Sequence, residues 1–80
     1  MGLSKKISLF EGEKGSIIRI TDLNIDGLMR RRLLDLGFVP GAYVEVLRKS
    51  PLGDPVAFRV SNTSIALRKE ESHKILGELV

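Results

Sequence analysis

The stretch Arg32-Leu33-Leu34-Asp35-Leu36-Gly37-Phe38-Val39-Pro40-Gly41 decides how this chain folds. Before it the apolar pattern is helical, and after it apolar and polar residues alternate. Leu33, Leu34 and Leu36 continue a helix. Gly37 supplies the left-handed backbone of a C-terminal cap, and Pro40, with no N–H, cannot extend the helix. Pro40-Gly41 fits the centre of a type II turn, because proline presets the first φ and glycine accepts a positive one. A helix that stops on glycine and turns directly into a strand is therefore expected.

Working upstream, Asp26 stands where an N-cap carboxylate can accept the unpaired N–H groups of a first turn. At 100° per residue, Ile25, Met29, Leu33 and Leu36 form one stripe with Leu28 at its edge. Arg30 and Arg31 fall outside it, Arg32 falls on its rim, and Leu34 projects from the opposite side. Ser16 to Thr21 is a β-branched run with Ile18 and Ile20 on one face. Leu3 to Gly15 reads as a polar lead-in ending in a turn.

Downstream, Ala42 to Arg48 alternates as a half-buried strand, with Val44 and Val46 inward. Ser50-Pro51-Leu52-Gly53-Asp54-Pro55 is a loop, because its prolines cannot join a ladder. Val56 to Val60 and Ser64 to Arg68 are strands joined through Ser61-Asn62-Thr63, where Asn62 best tolerates the left-handed conformation. Lys69 to Lys74 has helix-forming composition, and Ile75 to Val80 closes the chain as a strand interrupted by Gly77. The whole chain, residues 1–80, forms one domain. Its expected architecture is mainly β: a small SH3-like barrel of five strands. One helix is inserted after the first strand, and a short helical segment precedes the last.

Eighty residues leave little room for an enclosed active-site cavity, so the working surface should be external. There is no cysteine, which removes disulfides and thiolate metal sites. No apolar run approaches the roughly 20 residues that span a bilayer. Met1 to Lys6 is too quickly polar for a secretory signal, and Lys6 stands where a myristoylation motif wants serine or threonine. A soluble, cytoplasmic protein without an anchor of its own is expected. The formal net charge of +3 permits acidic protein, nucleic acid or an anionic membrane face as a partner.

No nucleophile, base and acid converge in the sequence, so no enzyme activity is expected. His73 is the one imidazole. Glu70, one helical turn before it, makes a pair of donors, short of the three or four that metal sites use. The expectation is no bound cofactor and no dedicated metal site. A weakly held ferrous or other divalent transition-metal ion is the alternative on these residues. Arg30-Arg31-Arg32 is the densest basic run, and Arg48, Lys49, Arg59, Arg68 and Lys69 form a basic patch if the strands converge. Stacking aromatics of the kind that nucleic-acid-binding sheets carry are scarce, which ranks protein above nucleic acid as the partner. Leu52, exposed between two stiffening prolines, is a preorganised contact.

Leu33-x-x-Leu36-Gly37-Phe38-x-Pro40-Gly41, then Val44 and Val46, then Ser50-Pro51-Leu52-Gly53-Asp54-Pro55 and Ile65-Ala66-Leu67-Arg68, resemble the ferrous-iron transport protein A (FeoA) family. The likeness runs from about Leu9 to the C-terminus. The resemblance implies an SH3-like barrel in the bacterial cytosol, accessory to a membrane transporter for ferrous iron whose cytosolic part is a GTPase. It implies docking on that transporter rather than catalysis. Arg30, Arg31 and Leu34 of the helix, with Leu52 and Asp54 of the loop, are the contacts expected on this basis. A nucleic-acid-binding barrel and a weak transition-metal-binding module are the alternatives.

Overall fold

In the computed structural model, which describes residues 5–80, Gly37 takes φ 112° and ψ 1°. Its N–H donates to the Leu34 carbonyl at 3.1 Å, and Phe38 N–H donates to the Leu33 carbonyl at 3.0 Å. These are the paired bonds of a Schellman stop, and Leu33 and Phe38 are both buried beneath it. Ala42 N–H then reaches the Val39 carbonyl at 2.9 Å across Pro40-Gly41, with Gly41 at φ 93°, as a type II turn requires. The expected hinge is present in every part. The readings placed on Met1 to Ser4, that they form no signal and no acylation site, lie outside the described residues.

The elements are β1 (Lys6–Ser8), a 3₁₀ turn (Leu9–Glu11), β2 (Ile17–Leu23), α1 (Gly27–Leu36), β3 (Tyr43–Lys49), β4 (Val56–Val60), β5 (Thr63–Leu67), α2 (Lys69–Ser72) and β6 (Ile75–Leu79). They build one antiparallel sheet of six strands, ordered β1-β6-β2-β3-β4-β5, which gives the expected mainly β, SH3-like fold. The expectation of five strands with the helix after the first is corrected by β1, so α1 follows the second strand. Three residues, with Ile7 alone between polar neighbours, show no alternation to recognise. Pairing to β6, with Ile7 opposite Gly77, is what makes them a strand. Thr63 also belongs to β5, which leaves Ser61 (φ 51°) and Asn62 (φ 63°) as a two-residue type I′ turn.

Alternation fills the core as expected, from Ile18 and Ile20, Val44 and Val46, and Val56, Phe58 and Val60. Of the 13 buried apolar residues among the described residues, only Leu33 lies in α1. The helix is a lid on a core that the sheet builds. A register shift between Val46 and Arg48 breaks the alternation of β3 and sets Arg48 opposite Ala57 on the outer face. The reason is geometric, since one extra residue in a strand reverses the facing of all that follow.

Gly77 is the tightest point of the sheet. It lies opposite Ile7 on β1 and Ile20 on β2, and a Cβ there would collide with the Arg19 carbonyl oxygen and the Ile18 side chain. At Gly37 the obstacle is the Ser61 hydroxyl, 2.6 Å from an added Cβ, together with the positive φ. A side chain can yield; a neighbouring strand's backbone cannot. Gly37→Ala should cost about 1–3 kcal/mol, the usual range for a strained left-handed residue. Gly77→Ala should cost more, a difference that urea unfolding of the two variants will measure.

Candidate functional site

Helix α1 exposes a different leucine from the one its sequence suggests. Leu28 is 89% exposed, whereas Leu34 is half-buried and packs against the core with Met29 and Leu36. Leu34 therefore does not offer the exposed leucine expected of it. The expected stripe does face the core: Leu33 is buried, and Met29, Leu36 and Ile25, which lies just before the helix start at Gly27, pack against it. Leu33 is the centre of that inner face and Leu34 widens it on one side, whereas Leu28, Arg31, Arg32 and Asp35 form the outer one. Arg32 is likewise exposed rather than laid on the core rim. Asp26 holds the N-cap position with extended backbone, but its carboxylate makes no capping bond.

Arg30 is not a free cation. Its guanidinium Nη1 donates to the Leu23 carbonyl at 3.0 Å and ties the first turn of α1 to the end of β2. Arg31 is exposed and takes part in none of the ion pairs among the described residues.

The Ser50–Pro55 loop is held from within. Ser50 Oγ accepts from Asp54 N–H at 2.9 Å, Gly53 N–H reaches the Ser50 carbonyl at 2.8 Å, and the Asp54–Pro55 peptide is cis. Asp54 Oδ1 accepts from Lys69 N–H at 2.9 Å. That bond fastens the loop to the first residue of α2, so Asp54 is an internal tie before it is a contact. Leu52, at 94% exposed, stands out from this braced loop as expected. Among the described residues, no hydrogen bond or ion pair joins the loop to the outer face of α1. They are two separate places.

Basic residues do gather at the third location. Lys49 Nζ lies 5.0 Å and Lys69 Nζ 5.6 Å from the centre of the Phe10 ring, and the His73 ring packs on it at 4.6 Å. Arg59 instead pairs with Glu45 at 3.3 Å and leaves the patch. His73 and Glu70 make at most two donors, and no cluster of three His, Cys, Asp or Glu side chains exists among the described residues. Beside them, Glu11 Oε1 accepts from Ser8 N–H at 2.8 Å. That backbone bond holds the Glu11 carboxyl below its usual range, aided by the positive charge of Lys5 and His73.

The FeoA domain profile matches residues 7–79. The chain belongs to the FeoA family. It is 36% identical over 72 residues, 90% of its length, to an Fe(2+) transport protein A/Fe(2+) transporter FeoB fusion protein of Porphyromonas gingivalis. It spans only 8% of that fusion. The solution structure of the FeoA protein from Chlorobium tepidum superposes with a TM-score of 0.85 at 35% identity, covering 92% of this chain and 71% of that one. The zinc-complexed FeoA of Stenotrophomonas maltophilia, described as a procaryotic SH3 domain protein, superposes at 0.72 with 32% identity over 86% of each chain. No helix among the described residues of this chain is long and apolar enough to cross a membrane.

The exchange of Leu34 for Leu28 on the outer face and the Glu11 bond are both testable. Leu34→Ala should lower stability by about 1–3 kcal/mol, whereas Leu28→Ala should stay within about 0.5 kcal/mol in the same denaturant titration. Since the folded Glu11 carboxyl titrates below its ordinary 4.5, its bond contributes above that pH and is lost as pH falls through the lowered value. Exchange protection of the Ser8 amide should fall in acid in the wild type and be independent of pH in Glu11→Gln.

Proposed function

We propose that this protein is an accessory and regulatory component of bacterial ferrous-iron uptake that acts in the cytosol by docking on the membrane transporter. The observation that carries this is the Porphyromonas gingivalis fusion, in which a domain like this one shares a chain with Fe(2+) transporter FeoB. Fusion holds two parts at high effective concentration, which rewards partners that work together. The geometry agrees with a docking module: a rigid barrel, a braced loop carrying Leu52, and a helix face carrying Leu28 and Arg31.

Within this proposal the contacts are Leu52, Arg31 and Leu28, and Leu34 yields its place to Leu28 because it serves the core. Arg30 and Asp54 act by holding the two surfaces, through Leu23 and Lys69 respectively. Charge governs approach, while the exposed leucines supply affinity once covered. No catalytic step and no resident cofactor is part of the proposal, and iron is the transporter's cargo.

The test is a pull-down with the cytosolic region of the transporter from the same organism. Leu52→Asp or Arg31→Glu should weaken capture by about tenfold or more, the scale of an interface residue worth 1.4 kcal/mol. Both variants should unfold like the wild type. Unchanged capture by both would remove this surface from the interface.

A further inference from the structure

The β5 edge of the sheet is open. Because Ser61-Asn62 joins β4 to β5 with a two-residue turn, Val60 and Thr63 close it as a hydrogen-bonded pair. Bonded and non-bonded pairs then alternate, so Phe58 with Ile65 and Val56 with Leu67 exchange bonds, while Arg59 with Ser64 and Ala57 with Ala66 do not. The N–H and C=O groups of Ser64 and Ala66 therefore point away from β4, and β5 is the last strand of the sheet on that side. None of them finds a backbone partner elsewhere among the described residues. Proteins blunt such an edge with lysine, proline or a bulge. Thr63-Ser64-Ile65-Ala66-Leu67 contains no lysine or proline and pairs with β4 without a register shift.

The surroundings of the edge define what fits it. On the outer face Ala66, Ala57 and Arg48 stand in one row across β5, β4 and β3, because the β3 bulge turned Arg48 outward. Ala57 and Ala66 floor a groove of about 410 Å³ walled by Arg48, Lys49, Pro51 and Pro55. On the inner face Ile65 is only half-buried and packs at the margin of the core. Arg48, Lys49, Arg68 and Lys69 take part in none of the side-chain ion pairs among the described residues. The nearby carboxylates of Asp54 and Glu71 already accept from the Lys69 and Arg68 backbone N–H groups.

We propose that β5 takes an extended acidic segment of a partner protein as an added strand. The exposed N–H and C=O groups of Ser64 and Ala66 supply the ladder, and alternate side chains supply the choice. Outward residues carry a carboxylate over the alanine row toward Arg48. Inward residues are apolar and extend the core past Ile65. A second copy of this chain is a poor occupant, since edge-to-edge pairing would bring two basic rows together. The surface is distinct from the loop and helix contacts above, and the proposal does not depend on them.

The test is amide exchange and binding of the 80-residue chain, with a synthetic peptide alternating glutamate and valine and a lysine–valine counterpart. The acidic peptide should bind and protect the Ser64 and Ala66 amides. Ser64→Pro, which deletes one outward N–H, should weaken it about fivefold to tenfold, the worth of one hydrogen bond. Arg48→Glu leaves the backbone intact and should reverse the preference between the two peptides. Failure of the acidic peptide to bind, equal binding of both peptides, or binding without protection at Ser64 and Ala66 would overturn the proposal. So would protection of those amides by self-association as protein concentration rises.

Discussion

The hydrogen bond from Phe38 N–H to the Leu33 carbonyl is the constraint on which the rest of this fold depends. It forms only because Gly37 adopts a left-handed conformation that a side chain would penalise. Closing it ends α1, reverses the chain and drops Phe38 into the core beside Leu33. Burying one such aromatic is worth about 1.5–3 kcal/mol, more than the hydrogen bond itself, so the cap steers and the burial stabilises. The Pro40-Gly41 turn then delivers Gly41 N–H to the Ile20 carbonyl at 2.7 Å, which aligns β3 alongside β2. Helix, turn and first long-range strand pair are set within a few residues.

Electrostatics decorates this frame rather than holding it. Lys6–Asp22, Arg19–Glu78 and Arg59–Glu45 are exposed or half-exposed pairs between strands, and such pairs contribute about 0–1 kcal/mol each. Their greater effect is to neutralise three of the basic side chains. Arg31 and Arg32 on the helix and Arg48, Lys49, Arg68 and Lys69 near the loop and the β5 edge are among the basic side chains outside these pairs.

Much of the architecture was legible in the order of residues. Strands β2 to β5 and the terminal strand follow from alternation, and the hinge follows from Gly37 and Pro40-Gly41. Three features were not legible, each because the deciding partner is distant in sequence. Strand β1 exists through its pairing with β6, the facing of Arg48 depends on a bulge against β4, and Leu34 is covered by packing against the core. Among the expected contacts, Leu52 kept its exposure and Leu34 did not. Arg30 and Asp54 proved to be fastened to backbone groups of other elements, which composition cannot reveal.

Taken alone, the sequence determined the places where this chain must stop, turn and alternate, because glycine, proline and apolar periodicity act through local backbone sterics. It also determined the family, through residues that serve the hinge and the braced loop. Only the tertiary structure decided which side chains remain available to a partner. Availability is set by what packs or bonds across the sheet, and the same arginine, aspartate or leucine is a tie in one register and a contact in the next.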